Sequence, residues 1–113
     1  MGSKNRNEIC RGTTPRIECA FQEDLSDYEL YFSIGPDMRK AWFTVPHSRM
    51  KCETDLAQTT VVFTLEQRES LLCKAGKAFA QFRIVDENGD ARASNIIELQ
   101  IIDIVKDGVI KYV

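Results

Sequence analysis

The chain has 113 residues, a formal net charge of −2 and 43% hydrophobic residues, which suffices for one hydrophobic core but not for two. This charge argues against a nucleic-acid-binding surface, which needs clustered Lys and Arg side chains. No apolar run reaches the roughly 18 residues that a membrane-spanning helix needs, and the polar N-terminus lacks a signal-peptide pattern. We therefore expect neither a nucleic acid nor a membrane as a partner.

The ends of the chain differ in composition from its middle. Residues 1–11 show no hydrophobic periodicity, and we expect them to form a flexible N-terminal arm. Residues 12–105 carry the regular patterns of a folded domain, and residues 106–113 form an apolar C-terminal tail. The sequence thus predicts one β-rich domain between an arm and a tail.

Alternation of apolar and polar side chains predicts strands through most of the domain. Residues 16–21, 28–34, 40–45 and 59–65 alternate clearly, and residues 49–53 are a weaker candidate. Gly, Pro and Asp residues lie between these segments, as is typical of turns. Each strand is therefore expected to bury one face and expose the other. The expected inward side chains are Ile17, Cys19, Phe21, Tyr28, Leu30, Phe32, Ile34, Val61, Phe63 and Leu65.

A short helix is predicted after the strand at residues 59–65. Thr64 and Gln67 have the spacing of a capping box, in which the side chain of each residue accepts a hydrogen bond from the backbone N–H of the other. Gly76 suits the left-handed position that ends many helices. The expected buried side chains of this helix are Leu65, Leu71 and Leu72.

The strongest pattern is a long β-hairpin over residues 77–104. Its turn contains Asn88 and Gly89, which favour a type I′ turn because that turn needs positive φ at both central residues. The second arm is longer than an ordinary strand, so we expect a bulge or bend near Ser94 and Asn95. The expected inward side chains are Ala78, Ala80, Phe82, Ile84, Ile97, Leu99 and Ile101.

These elements together predict the fold class. About seven short strands with one short helix are typical of an all-β sandwich of two antiparallel sheets. We therefore predict an immunoglobulin-like antiparallel β-sandwich.

The sequence contains no residue set suited to catalysis. His47 is the only histidine, no motif places a Ser or Cys beside it, and no Gly-rich loop precedes a helix. Residues 86–90 have the acidic character of a calcium loop but lack its bidentate Glu. The cysteines lack the paired spacing of a zinc site and are interpreted as free thiols: Cys10, Cys19, Cys52 and Cys73. We predict that the protein is not an enzyme and holds no metal or cofactor.

Some apolar residues fall on the otherwise polar face of their strand or in the tail. A second apolar face on a small domain usually marks an interface, although the helix or the N-terminal arm would cover it equally well. The interface candidates are Tyr31, Phe79, Ile96, Ile102, Val109, Ile110 and Tyr112.

Several segments resemble a family of small proteins encoded in prophages of Gram-positive bacteria, mostly near tail genes. The segments are RGTTP (residues 11–15), TLEQ (64–67), AGK (75–77) with QFR (81–83), ASNII (93–97) and KDGVI (106–110). Their order and spacing resemble the N-terminal domain of phage baseplate upper proteins, an immunoglobulin-like β-sandwich. The resemblance covers roughly residues 11–110 and excludes the stalk and receptor-binding parts of that family, so it transfers no functional residue.

The resemblance implies a phage virion structural protein in the tail, baseplate or neck. Its partners would be other virion proteins and further copies of itself, and it would reside in the virion after assembly in the bacterial cytoplasm. One alternative is a capsid decoration protein. Another is a soluble phage inhibitor of a host defence protein, with acidic turns at residues 24–27 and 86–90 that imitate nucleic-acid charge.

Overall fold

The chain folds as two β-sheets packed face to face in a computed structural model that describes residues 7–112. These residues contain one α-helix, α1 (Gln67–Leu72), and one 3-10 turn, His47–Arg49. They also contain nine strands: β1 (Glu8–Cys10), β2 (Arg16–Phe21), β3 (Glu29–Gly35), β4 (Phe43–Val45), β5 (Lys51–Asp55), β6 (Gln58–Thr64), β7 (Gly76–Val85), β8 (Ala91–Ala93) and β9 (Ile97–Ile102). The predicted β-sandwich with one short helix is confirmed.

The two sheets differ in size. The large sheet has the order β1-β9-β7-β3-β4, and β8 also pairs with β7. The small sheet has the order β2-β6-β5. All pairs are antiparallel except β1 with β9, which is parallel. The strand number exceeds the prediction because β1 was assigned to the arm and the second hairpin arm divides into β8 and β9.

The predicted interruption of the long hairpin lies where it was expected. Arg83 pairs with Ala93 and Ala80 pairs with Ile97, so one more residue lies between the pairs on the second arm than on β7. At this bulge the Ser94 amide donates to the Phe82 carbonyl (2.9 Å), and the Phe82 amide donates to Ser94 Oγ (3.0 Å). The serine side chain therefore replaces a backbone acceptor that the bulge removes.

The predicted type I′ turn at the tip of this hairpin is wrong. Gly89 has φ of 87°, but Asn88 is not among the non-glycine residues with positive φ. The Asp86 carboxylate accepts the amides of Asn88 (2.9 Å) and Asp90 (3.0 Å), while the Asp86 carbonyl accepts the Gly89 amide (3.0 Å). The Asp86 side chain thus accepts hydrogen bonds from backbone amides that follow it in the chain. A turn stabilised in this way needs positive φ at only one residue, here Gly89.

The turn with two left-handed residues joins β5 to β6 instead. Leu56 and Ala57 have φ of 52° and 61° between the paired residues Asp55 and Gln58. Neither residue type favours this region, because the Cβ atom crowds the backbone there. Leu56 is 93% exposed, so packing of its side chain does not offset the strain.

We expect the double substitution Leu56→Asn and Ala57→Gly to raise the free energy of unfolding by about 1–2 kcal/mol. Asn and Gly adopt left-handed backbone with little strain, and the pairing on either side of the turn stays the same. Urea unfolding at neutral pH measures the gain. The matched control, Leu56→Ala, removes the side chain and keeps the strain, so an equal gain there would contradict this explanation.

The core lies between the sheets and is centred on phenylalanine rings. Phe82 and Phe32 of the large sheet have ring centroids 5.2 Å apart, and Phe63 of the small sheet lies 5.0 Å from Phe32. Phe21 meets Phe82 edge-on at 5.3 Å. The predicted inward residues of β3, β6 and β7 are buried, whereas Ile97 and Leu99 of β9 are only half-buried.

The helix begins later than predicted. Thr64 is the last residue of β6, where it pairs with Arg16, and the helix begins at Gln67 after the cap residue Glu66. The Glu66 amide donates to Glu69 Oε1 (2.9 Å), so the capping box lies two residues beyond the predicted one. Strand pairing through Thr64 wins over helix initiation there.

Two further helix predictions are also wrong. Gly76, the predicted helix terminator, is the first residue of β7, with φ of 119°. Leu72 is exposed rather than buried, whereas Leu65 is buried and Leu71 is half-buried. The helix has six residues, which is fewer than two turns, so only one side of it faces the core.

Part of the predicted N-terminal arm belongs to the sheet. Glu8–Cys10 forms β1 beside β9, and Ile9 is 1% exposed within the core. Residues 1–6 lie outside the described part of the chain, as does Val113 of the tail. The described tail residues form no strand.

Candidate interaction surface

The outer face of the large sheet carries two of the predicted interface residues, Tyr31 and Phe79. Both are half-buried, and they lie on neighbouring strands. The row between them pairs Ser33 with Gln81, which are both polar. The predicted second apolar face is therefore interrupted by a polar row rather than continuous.

A shallow cavity joins Phe79 to a third candidate, Ile96. It has a volume of about 250 Å³, with Gly35 among its lining residues and the loop at residues 37–41 forming one wall. Tyr31 lies outside it, in a separate hollow of about 310 Å³. The structure thus brings Phe79 and Ile96 together and keeps Tyr31 apart.

The remaining candidates lie at the end of β9 and in the tail. Ile102 pairs with Cys10 and is partly exposed. Val109, Ile110 and Tyr112 are all exposed, and Tyr112 is fully so. These tail residues are apolar surface without a strand partner in the described part of the chain.

Two anchors hold the tail on the helix side of its own chain. The Gln67 side-chain amide donates to the Ile110 carbonyl (2.9 Å) and accepts the Ile110 amide (2.8 Å), as a neighbouring strand would. Arg11 bonds Asp107 (2.7 Å) and Asp103 (2.8 Å). The tail therefore has a defined position, although its apolar side chains stay in solvent.

Arg11 is a structural centre that the sequence analysis missed by placing it in the arm. Its side chain is 15% exposed and also donates to the backbone carbonyls of Leu71 (3.0 Å) and Cys73 (2.8 Å) at the end of α1. Hydrogen bonds to Asp107 and then Asp103 raise the pKa of Arg11. One cation thus joins β1, the helix end and the tail.

Within residues 7–112, one flank of the sandwich is open, between β2 and the strands β8 and β9. Two adjoining cavities of about 490 Å³ and 260 Å³ lie along it, and both have Cys19 and Ile97 among their lining residues. The pattern of inward residues on β2 was visible in the sequence. The sequence did not show which flank of the sandwich is open, because that depends on the order of the strands within each sheet.

Three of the thiols and the histidine have surroundings that the structure defines. Burial raises the pKa of Cys73 to about 11, and burial also raises the pKa of Cys19 and Cys52. These thiols are therefore protonated at neutral pH, when only a thiolate is a good nucleophile. His47 Nδ1 accepts the Leu30 amide (3.1 Å), which gives the ring a structural role.

An ion pair links the 3-10 turn to the helix. Arg49 bonds both carboxylate oxygens of Glu69, with Nη2 at 2.8 Å from Oε1, and also donates to the Thr64 carbonyl (2.9 Å). The hydrogen bond from Arg49, helped by the Glu66 amide, lowers the pKa of Glu69. Bidentate pairs of this kind are among the stronger ionic contacts in proteins.

We expect Glu69→Gln to lower the free energy of unfolding by about 1–2 kcal/mol at neutral pH. Because the pKa of Glu69 is lower in the folded chain, its contribution is complete above the ordinary glutamate pKa of about 4.3 and is lost as the pH falls further. Urea unfolding at neutral and acidic pH should therefore show a difference between the two proteins that shrinks in acid. The control Glu98→Gln removes an exposed ion pair with Lys77 (3.1 Å) and should change little. A difference for Glu69→Gln that does not change with pH would contradict the assignment.

No protein-family model matches the sequence, and no curated protein matches it either. Within residues 7–112, no helix is both long and apolar enough to cross a membrane. The same residues contain no group of three or more His, Cys, Asp or Glu side chains placed to hold a metal ion.

Proposed function

We propose that this chain is a structural protein of a phage or prophage virion, in the tail, baseplate or neck, and that it works by contact with other virion proteins and with copies of itself. The observation that carries the proposal is the open flank, where an edge of β2 that has no strand partner within residues 7–112 borders partly apolar cavities. Exposed strand edges pair readily with a strand from another chain. An exposed apolar tail on the same molecule supports the same conclusion.

The positions of the segments that carry the family resemblance also support the proposal. RGTTP, TLEQ and KDGVI meet at one end of the sandwich, through the bonds of Arg11 to Asp107 and of Gln67 to Ile110. QFR and ASNII meet at the bulge, where Gln81 Nε2 donates to the Ser94 carbonyl (2.8 Å). The segments that carry the resemblance are far apart in the sequence but contact one another in the fold. A shared immunoglobulin-like scaffold would require such contacts.

The two alternatives differ in how they fit the molecule. In the inhibitor hypothesis the acidic turns would also have a structural role, because Asp24 accepts the Ser26 amide and hydroxyl and Asp86 accepts the Asn88 and Asp90 amides. Glu23 is paired with Arg92. A capsid decoration protein would use the same kind of contact surface and differs in its number of copies per particle.

Quantitative mass spectrometry of purified particles of the encoding phage tests this proposal. We expect the protein in every particle at a small multiple of three or six copies, as ring-shaped tail structures require. Hundreds of copies would indicate capsid decoration instead. Absence from particles, combined with expression early in infection, would contradict a virion role and favour the inhibitor.

A further inference from the structure

The open flank lies where a fourth strand of the small sheet would pair with β2. Among the described residues, β2 pairs only with β6, and its other edge has no partner. The Leu65 amide donates to the Pro15 carbonyl (3.0 Å), so the alternation of bonds along an antiparallel pair directs Ile17 and Cys19 toward β6. The N–H and C=O groups of Glu18 and Ala20 therefore point to the open edge.

The surface beside this edge extends along β2, and it is apolar near Ile97 and Leu99 and polar near Arg92 and Ser94. The half-buried side chains of Ile97 and Leu99 form its floor. The six residues of β2 span about 20 Å, because a strand rises about 3.3 Å per residue. The Arg92–Glu23 ion pair lies at one end, with Arg92 5.5 Å from the centre of the Tyr28 ring.

The order of the strands affects which partner can add to the flank. Phe21 of β2 lies over Phe82 of β7, and Phe63 of β6 lies nearer to Phe32 of β3 than to Phe82. The free edge of β2 therefore points toward β9 and β1, which continue the large sheet beyond it. Because β9 and β1 lie on the side where a neighbouring sheet would approach, this arrangement favours a single extended segment as the added strand.

The tail has the properties of that segment. Ile110 and Tyr112 alternate with Val109 and Lys111, and β-branched and aromatic residues favour strands. With Ile110 and Tyr112 toward the apolar floor, Lys111 lies on the outer side of the sheet, next to the exposed Glu18. Glu18 already pairs with Arg16 (3.4 Å) and both side chains are exposed, so the Lys111 charge favours this register only weakly.

The tail is also long enough to be exchanged between copies. Arg11 holds Asp107, and Gly108 has φ of 112°, which lets the chain change direction there. The residues that follow, 108–113, extend to about 20 Å, which matches the length of β2. In a chain without a partner, two hydrogen bonds from the Gln67 side chain hold the Ile110 backbone beside α1. These bonds must break before the tail can add to the open edge of β2.

We propose that residues 109–113 of a second copy add to the open edge of β2 as a fourth strand of the small sheet. Each copy then offers one groove and one tail, a head-to-tail contact that closes into a ring when the rotation between copies permits. The proposal rests on the function proposed above, because it names a second copy as the partner for virion assembly.

Purified protein in solution tests the contact without the virion. We expect wild-type protein to associate as its concentration rises in sedimentation velocity experiments. A variant lacking residues 109–113 and the variant Glu18→Pro should each associate at least tenfold more weakly. Proline at residue 18 removes an N–H that points to the open edge and not to β6. The control Glu18→Ala keeps that N–H and should associate within about threefold of wild type.

A mixing experiment separates loss of contact from loss of folding. Glu18→Pro retains a tail but has a blocked groove, and the truncated variant retains a groove but has no tail. Neither should associate alone, yet their mixture should form a complex of one copy of each that grows no further. A mixture that stays monomeric, or a truncated variant that associates like wild type, would overturn the proposal. Either result, together with the protein's presence in particles, would leave the virion role intact.

Discussion

Phe82→Ala is expected to lower the free energy of unfolding by about 4 kcal/mol. Phe82 is 1% exposed, and its ring contacts Phe32 of its own sheet and both Phe21 and Phe63 of the small sheet. Alanine would remove the ring that joins the two layers and leave a cavity that neighbouring rings fill only in part. Urea unfolding, followed by circular dichroism, measures the loss.

Phe79→Ala is the matched control for Phe82→Ala. Phe79 lies on the same strand and differs in facing outward, where it is half-buried. Its truncation is expected to cost about 1 kcal/mol, because the ring loses only part of its contacts and water fills the space. Equal losses for the two variants would contradict the assignment of the core to the inner face of β7.

Gly35→Ala is expected to lower the free energy of unfolding by about 3 kcal/mol. A Cβ atom at residue 35 would lie 2.1 Å from the Lys40 carbonyl oxygen and 2.8 Å from the Ala41 Cα atom. Both are backbone atoms, so a side chain cannot rotate away to relieve the clash. The loop after β3 must move, and it carries the Trp42 amide that donates to the Ile34 carbonyl (2.8 Å).

Gly89→Ala separates steric clash from backbone preference. Gly89 has positive φ, and a Cβ atom there would meet nothing within 4 Å. Alanine should therefore cost about 1 kcal/mol through backbone strain alone. A smaller loss for Gly35→Ala than for Gly89→Ala, in thermal or urea unfolding, would show that the loop does not rest on β3 as described.

The sequence predicted the fold class because alternation along a strand reports which face is buried. That information is local, and it placed Phe32, Phe63 and Phe82 in the core. It also located the bulge, since the second arm of the hairpin is longer than one strand can be. The predicted strand at residues 40–45 shortens to Phe43–Val45, because the preceding loop folds onto Gly35 instead of pairing.

The errors share a physical cause, which is competition between local preference and contacts from elsewhere in the chain. Thr64 has the chemistry of a helix cap, yet pairing with Arg16 keeps it in a strand. Leu56 and Ala57 have no turn preference, yet the pairing of β5 with β6 imposes left-handed backbone on both. The pattern along one segment of the sequence does not show which distant residues will pair with it.

The candidate surface was predicted only in part for the same reason. The exposed tail residues were recognised because they form an apolar segment beyond the predicted hairpin. The open edge of β2 follows from strand order, and the role of Arg11 follows from four contacts with residues at least 60 positions away. Such features become visible only when distant segments are placed together.

Hydrogen exchange at the amides of Glu18 and Ala20 tests most directly whether the open edge of β2 is the contact surface. In dilute protein we expect both amides to exchange quickly, because they point away from β6. In concentrated protein they should exchange at least tenfold more slowly, and removal of residues 109–113 should abolish that protection. Equal exchange rates at both concentrations, or protection that survives the truncation, would contradict the account.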